Sequence, residues 1–199
     1  MDVLGWLFGL ISVVGTLSTI HYGRKSYALE QSRRKLDWDE FQASAQDLAR
    51  QVVQTKFQPD VLYTPGLPGA TFANLLRQQL PGCPPVFVGL NVWKAAAGSQ
   101  PSAISGFWVL ETSKWFVYVP EELASGKYER ILIVDSFALS GDFLRTVKEK
   151  LVERGVLREQ IKTLAVVTTK VALESFKGPD LFWMEVPDSS FYFPWGKAQ

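Results

Sequence analysis

The segment from Ile131 to Asp142 constrains the fold of this chain more than any other stretch of its sequence. It begins with four consecutive apolar residues, Ile131–Val134, a pattern typical of a parallel strand that is buried on both faces. A carboxylate, Asp135, follows the strand, and a Ser-Gly turn then leads into an amphipathic helix predicted over Asp142–Arg154. Because parallel strands are joined by crossover connections that are usually helical, this strand–turn–helix unit predicts an α/β protein with a parallel sheet.

Other strands and helices alternate along the chain, as expected for a parallel sheet covered by helices. The predicted strands are Val61–Thr64, Val86–Leu90, Leu164–Thr168 and Leu181–Val186, and the other predicted helices are Tyr27–Thr55 and Ala70–Leu80. Phe107–Glu111 and Trp115–Val119 are predicted to form an inserted hairpin, which follows a loop of small residues over Asn91–Ser105. In such sheets ligands bind beyond the carboxyl ends of the strands, so we expect a site in the loops that follow them.

The composition of the 199 residues narrows the classes of function. The chain has 21 Lys and Arg against 20 Asp and Glu, and a net charge of +1 argues against a dedicated nucleic-acid-binding protein. Cys83 is the only cysteine, which excludes an internal disulfide and a cysteine-rich zinc site. His21 is the only histidine, so neither a histidine metal site nor a Ser-His-Asp triad is expected.

The N-terminal part of the chain contains a long uncharged segment, residues 3–20. As a helix it would be about 27 Å long, close to the thickness of the hydrocarbon core of a bilayer. We predict a retained, single-pass membrane anchor; a cleaved signal peptide and a helix buried in a protein complex are the alternatives. Basic residues follow this segment, beginning with Arg24 and Lys25, which predicts that the globular part of the chain is cytoplasmic. The expected organisation is a transmembrane anchor over 1–22, a juxtamembrane and leading helix over 23–56, and a globular domain over 57–199.

The central strand–turn–helix unit has the features of an anion-binding site. Backbone N–H groups at the start of the helix, near Ser140, Gly141 and Asp142, can face a phosphate. Asp135, at the tip of the strand, can accept hydrogen bonds from sugar hydroxyls. The alternative is that Asp135 only caps a turn.

This unit resembles the signature of the type I phosphoribosyltransferases, in which apolar residues lead into two acids and then a phosphate-binding Thr-Gly loop. Pro59–Ala70 is similar to the first strand and the pyrophosphate loop of that family, which assigns Thr64, Pro65 and Gly66 to the pyrophosphate loop. The resemblance extends over residues Phe57 to Trp195, with its motifs in the order of the family.

The C-terminal part resembles the end of the xanthine/guanine/hypoxanthine branch of the family. Lys170 lies where purine-specific members carry a lysine that bonds the exocyclic oxygen of the base. Phe191, with Tyr192 beside it, matches the aromatic residue that stacks on the base shortly before a Pro-Trp pair. The resemblance therefore implies that Lys170, Phe191 and Tyr192 bind the base.

The resemblance also implies a fold and a reaction. The implied fold is the type I phosphoribosyltransferase fold, a parallel sheet flanked by helices with an inserted hairpin, here preceded by one transmembrane helix. In the implied reaction, magnesium-bound phosphoribosyl pyrophosphate transfers its ribosyl phosphate to a base nitrogen through an oxocarbenium-like transition state. Catalysis then consists mostly of positioning and charge stabilisation, with Asp135 as the catalytic and metal-binding carboxylate and Mg²⁺ as the cofactor.

Several positions depart from the family pattern. Ser136 replaces the second acid of the pair that holds the ribose hydroxyls, so one charge is lost, although its hydroxyl can still bond a ribosyl group. Leu139 and Phe143 replace hydroxyl residues of the phosphate loop, and Asp142 places a carboxylate where a phosphate would bind. The first loop, Thr64–Gly69, contains no basic residue that could neutralise a pyrophosphate. The changes also have a simpler explanation, which is better packing in a protein that no longer binds phosphate.

From these features we predict a membrane-anchored phosphoribosyltransferase-like protein that is catalytically impaired. It would bind a nucleotide or phosphoribosyl pyrophosphate as a sensor, effector or scaffold. The alternative is an active purine phosphoribosyltransferase. We expect the membrane as a partner through residues 3–20, a homo-oligomer or a complex with another protein, and no nucleic acid. We expect the aromatic residues of the hairpin in the core, with a subunit contact as the alternative.

Overall fold

A computed structural model describes residues 34–94, 100–112 and 114–198 of the chain. The strands are β1 (Arg34–Lys35), β2 (Val61–Thr64), β3 (Val86–Val88), β4 (Leu90–Trp93), β5 (Phe107–Glu111), β6 (Trp115–Pro120), β7 (Ile131–Ala138), β8 (Ile161–Thr169), β9 (Leu181–Val186), β10 (Phe191–Phe193) and β11 (Gly196–Lys197). The helices are α1 (Trp38–Gln54), α2 (Leu67–Gln79), α3 (Asp142–Glu153) and α4 (Lys170–Glu174), with 3₁₀ turns at Glu121–Ala124 and Arg158–Gln160.

A five-stranded parallel sheet with the order β3-β2-β7-β8-β9 lies at the centre of the fold. The predicted parallel sheet is therefore confirmed. The central strand β7 runs to Ala138, four residues beyond its apolar run, because Asp135 and Phe137 continue to pair with β8. The helix that follows β7 spans Asp142–Glu153, within one residue of the prediction.

Apolar side chains cover both faces of this sheet, because successive residues of a strand point to opposite sides. Leu62 lies on the face that packs against α1 and α2, where Phe41 and Phe72 meet with their ring centroids 5.2 Å apart. Its neighbour Tyr63 lies on the other face, with α3 and the hairpin residues. Helix α1, which precedes residue 57, is thus part of the same core as the sheet.

The predicted hairpin is confirmed as the β5–β6 pair, and β4 extends it to a three-stranded antiparallel sheet. The single strand predicted over Val86–Leu90 is wrong, since it divides at Gly89 into β3 and β4. A Cβ at Gly89 would lie 2.7 Å from the Tyr118 carbonyl and the Tyr63 hydroxyl, so only glycine fits between the two sheets. Of the predicted loop over 91–105, residues 91–93 are instead paired with β6, and residues 95–99 lie outside the described residues.

The aromatic residues of the hairpin were expected in the core, and three of them are there. Trp108, Phe116 and Tyr118 are buried, and the guanidinium carbon of Arg154 lies 4.1 Å from the Trp108 ring centroid. The exposed aromatic residue of this sheet is Trp93, on the edge strand β4.

The start of the leading helix differs from the prediction, which placed it at Tyr27. Helix α1 begins at Trp38 because Asp37 caps it: the Glu40 N–H donates to Asp37 Oδ1 at 2.8 Å, and Glu40 Oε2 accepts from the Asp37 N–H at 3.1 Å. Arg34 and Lys35 form a strand instead, parallel to β10, which also pairs with β11. Sequence periodicity missed this small sheet because each of its strands has only two or three residues.

The predicted membrane anchor over 3–20 lies outside the described residues. Among residues 34–94, 100–112 and 114–198, no helix is both long enough and apolar enough to cross a bilayer.

Replacing Phe191 by Ala tests how the C-terminal strand contributes to the core. Phe191 has no exposed surface and lies 5.1 Å from Phe193, centroid to centroid, so its loss leaves a cavity. We expect the free energy of unfolding to fall by about 3–5 kcal/mol in urea denaturation of the full chain. The matched control is Phe176→Ala, because the Phe176 side chain is 95% exposed. Equal effects of the two substitutions would contradict this packing.

Candidate functional site

The carboxyl ends of the parallel strands bring three chain segments to one edge of the sheet. These segments are the turn after β2, the end of β7 with the loop into α3, and the end of β8. β7 lies between β2 and β8, so its end is flanked on both sides by strand ends. This is the edge at which ligands bind in open α/β sheets.

The turn after β2 is packed directly against β7. Thr64 Oγ1 donates to the Gly66 carbonyl at 2.9 Å, and α2 begins at Leu67, earlier than predicted, with Pro68 favouring the helical start. A Cβ at Gly69 would overlap Thr64 Oγ1 and lie 3.0 Å from the Val134 carbonyl oxygen. The first turn of α2 therefore touches the backbone of β7 immediately before Asp135.

Asp135 is a half-buried carboxylate within β7, three residues before the end of that strand, rather than at the strand tip where the sequence placed it. Burial raises the pKa of its carboxyl to about 6, although hydrogen bonds from the N–H groups of Ser136 and Phe137 and from the Ser136 hydroxyl act in the opposite direction. The Ser136 N–H donates to Asp135 Oδ1 at 2.7 Å. All three donors belong to the two residues that follow Asp135, and added hydroxyl groups or a cation would further stabilise its ionised form.

Tyr63 is a buried polar residue near Asp135 that sequence reasoning missed. Its hydroxyl has no hydrogen-bond partner among the described residues. Burial and the charge of Asp135 both raise the pKa of Tyr63, so the phenol stays protonated. The apolar pattern of β2 gave no signal for it, since a tyrosine in a buried strand is ordinarily a packing residue.

The loop from β7 into α3 is held by side chains from the end of β8. Thr169 Oγ1 donates to the Leu139 carbonyl, and Thr168 Oγ1 donates to the Ala138 carbonyl at 3.4 Å. Both threonines are buried, whereas the Leu139 side chain is 47% exposed at the surface of the loop. The threonines fix the loop in place, which the sequence could not indicate because their partners are 30 residues away.

Gly141 is the N-cap residue immediately before helix α3, and its φ of +74° lies in the region that favours glycine. A Cβ there would also overlap the backbone carbonyl of Lys177, which lies directly over the loop. Lys177 Nζ is 2.7 Å from Asp142 Oδ1. Hydrogen bonds from Lys177 and from the Ser140 hydroxyl hold the pKa of Asp142 below its ordinary value.

Of the residues assigned to base binding, only Lys170 follows directly on the end of one of these central strands, β8. Lys170 begins α4 as an exposed side chain, with its Nζ 3.5 Å from Glu174 Oε1. The Phe191 ring is fully buried and stacks on Phe137, with centroids 6.5 Å apart and an interplanar angle of 10°. In this conformation Phe191 presents no ring face to a ligand, and the half-buried Tyr192 pairs with Lys35 and Lys197 in the small sheet.

The side chains at this edge suit a metal ion that arrives already bound to a ligand. Among the described residues, no group of three His, Cys, Asp or Glu side chains could hold a metal ion. Mg²⁺ at phosphate sites usually takes one or two carboxylates and completes its shell with phosphates and water. Asp135 supplies one carboxylate of that kind.

The fold is shared with purine phosphoribosyltransferases of known structure. One from Pyrococcus horikoshii Ot3 is 18% identical with a TM-score of 0.61, over 83% of this chain and 95% of that chain. A xanthine-guanine-hypoxanthine phosphoribosyltransferase from Helicobacter pylori is 16% identical with a TM-score of 0.60, over 82% and 93%. A hypothetical protein from Neisseria gonorrhoeae with bound ppGpp is 16% identical with a TM-score of 0.58, over 82% and 89%. Neither a protein-family model nor a curated protein matches the sequence. At these identities, the likeness establishes the type I phosphoribosyltransferase fold.

The raised pKa of Asp135 predicts a particular pH dependence of stability. Between pH 4 and about 6 the folded chain retains a proton on Asp135 that the unfolded chain has lost, so stability falls as the pH rises. The rise of the Asp135 pKa from 3.8 to about 6 corresponds to a decrease of at most about 3 kcal/mol in the free energy of unfolding over this pH range. In urea denaturation from pH 4 to 7, Asp135→Asn should lack this decline, while contributions from other groups cancel in the difference. Parallel pH profiles for the two proteins would contradict the assignment.

Proposed function

We propose that this chain binds a purine nucleotide at the carboxyl edge of the sheet, as a membrane-anchored phosphoribosyltransferase-like sensor or effector with impaired catalysis. The observation that carries the proposal is the position of Asp135. It lies between the turn that packs on β7 through Gly69 and the loop that enters α3 at Gly141. A sugar phosphate is a ligand that can use a carboxylate and a helix start together.

Asp135 would accept hydrogen bonds from the ribose hydroxyls. Its raised pKa means that ionisation is unfavourable without further donors, and two hydroxyl groups would supply them. Ser136 occupies the position of the family's second acid, but it is buried and its hydroxyl already donates to Asp135. We therefore expect Asp135 to be the main ribose-binding residue.

The 5′-phosphate would lie at the start of α3. The first N–H groups of this 12-residue helix have no partner within the helix, and the helix dipole favours an anion there. Gly141 supplies the left-handed backbone conformation from which the helix begins, and Ser140 adds a hydroxyl.

A nucleotide fits this edge better than phosphoribosyl pyrophosphate does. The pyrophosphate would lie at Thr64–Gly69, a turn without lysine or arginine, so its several negative charges would meet no side-chain cation of that turn. The Neisseria gonorrhoeae protein with bound ppGpp offers a precedent for a guanine nucleotide on this fold.

Impaired turnover follows from the same residues. Leu139 has no titratable group with which to handle a base proton, and Ser136 brings no second charge to stabilise an oxocarbenium-like transition state. The buried Phe191 presents no face on which a free base could stack.

An active purine phosphoribosyltransferase is the second candidate. The contact of Gly69 with Val134 holds the turn after β2 beside the part of β7 that carries Asp135. A ligand with both a pyrophosphate and a ribose needs these two parts of the chain to lie close together. Mg²⁺ would then arrive with phosphoribosyl pyrophosphate, neutralise its charge and be bound by Asp135.

Nucleotide binding can be tested by calorimetric titration of the full chain in detergent micelles with GMP. We expect Asp135→Asn to weaken GMP binding at least tenfold, because the ribose hydroxyls lose a charged acceptor. Asp39→Asn is the matched control, since Asp39 is an exposed carboxylate on α1. Absence of GMP binding, or equal binding by both variants, would contradict the proposal.

A coupled assay distinguishes the two candidates. Pyrophosphate release from phosphoribosyl pyrophosphate in the presence of Mg²⁺ and guanine, hypoxanthine, xanthine or adenine should be at background. Release that Asp135→Asn abolishes would establish the active transferase instead.

Residues 3–20 would hold the chain in a membrane with its globular part on the cytoplasmic side. Their lack of charge and the basic residues that follow them support this orientation. An assembly of two or more chains is also proposed, with exposed Trp93 on the edge strand β4 as a candidate contact.

Extraction of membranes with alkaline carbonate tests the anchor. The full chain should stay in the membrane pellet, because a spanning segment is not removed by breaking ionic contacts. Deletion of residues 3–20 should release the chain into the supernatant. Release of the full chain would contradict an integral anchor.

A further inference from the structure

At the start of α3, where the phosphate would bind, a carboxylate of the chain itself is already paired with a cation and a hydroxyl. Asp142 Oδ1 lies 2.7 Å from Lys177 Nζ, and the Asp142 carboxylate also accepts from the Ser140 hydroxyl. Its own N–H is 3.4 Å from Ser140 Oγ. In this state the loop carries an internal anion at the proposed phosphate position.

Lys177 is held beside this loop by its backbone. Its N–H donates to the Ala172 carbonyl at 3.0 Å, and its own carbonyl lies where a side chain on residue 141 would be. The ammonium group can therefore change its ionic partner while the backbone of Lys177 stays against Gly141. Its side chain is 34% exposed, so an incoming anion can reach it.

We propose that Asp142 is a built-in competitor of the ligand phosphate, and that Lys177 transfers from Asp142 to the phosphate when the ligand binds. The inference rests on the proposed nucleotide-binding function. It assigns to the phosphate a cationic partner, Lys177, that lies outside the sequence motif. The basic residues of α3 close to this end have ion-pair partners of their own: Lys148 lies 3.1 Å from Asp180, and Arg145 lies 2.9 Å from Glu149, although its charge also acts on Asp142.

The competition has a direct physical basis. A phosphate dianion near α3 would be repelled by Asp142 at a few ångströms and attracted by Lys177 at a similar distance. Removing either charge should change the affinity by roughly fivefold to tenfold in opposite directions, since the site is partly exposed to solvent. Asp142 thereby sets the nucleotide concentration at which the site fills.

The test is the affinity of the full chain for GMP at pH 8, where its phosphate is a dianion. Asp142→Asn should tighten binding by about fivefold to tenfold, and Lys177→Met should weaken it by about the same factor. Glu153→Gln and Lys150→Met are matched controls, because these two residues form an ion pair in the last turns of the same helix, away from the loop. We expect the controls to bind within about twofold of the wild type.

The outcomes separate this inference from the function on which it rests. Equal affinities of wild type, Asp142→Asn and Lys177→Met, with binding still dependent on Asp135, would overturn the inference alone. Tighter binding by Asp142→Asn with an unchanged Lys177→Met would overturn the role of Lys177. Absence of GMP binding by every variant would overturn the proposed function and the inference together. Thermal unfolding of each variant shows that the affinities refer to folded protein.

Discussion

The contact on which the candidate site depends is the close approach of α2 to β7 at Gly69. Any side chain there would overlap Thr64 Oγ1, and a Cβ would lie 3.0 Å from the Val134 carbonyl. Because the two backbones touch, the turn after β2 and the Asp135 carboxylate hold a fixed relative position. The loop into α3 is fixed from the opposite side by Thr168 and Thr169 of β8. The segment from Asp135 to the loop that follows β7 is therefore supported on both sides.

Local sequence patterns predicted the parts of the fold that are themselves local. The apolar run at Ile131–Val134 and the helix from Asp142 are signals within one segment, and both agree with the structure. The small sheet of β1, β10 and β11 was missed because its strands have only two or three residues and β1 pairs with β10 across almost the whole described chain. The division of a strand at Gly89 was missed because its cause, the Tyr118 carbonyl, belongs to another sheet.

In the candidate site too, the sequence predicted residues that lie close together along the chain and missed residues that only the fold brings together. Asp135, Ser140, Gly141 and Asp142 were identified because they follow one another along a single motif. Lys177 and the threonines of β8 were missed, since their importance comes from contacts with residues more than 25 positions away. Phe191 was assigned by resemblance to a base-stacking role, but in this structure its ring is packed inside the core against Phe137.

The central claim is that Asp135 and the start of α3 together bind one sugar phosphate. A crystal structure of the full chain with GMP tests it most directly. The account predicts ribose hydroxyls within about 3 Å of the Asp135 carboxylate, with the phosphate on the first N–H groups of α3 and on Lys177. GMP bound away from this edge, or with its phosphate remote from α3, would contradict the account.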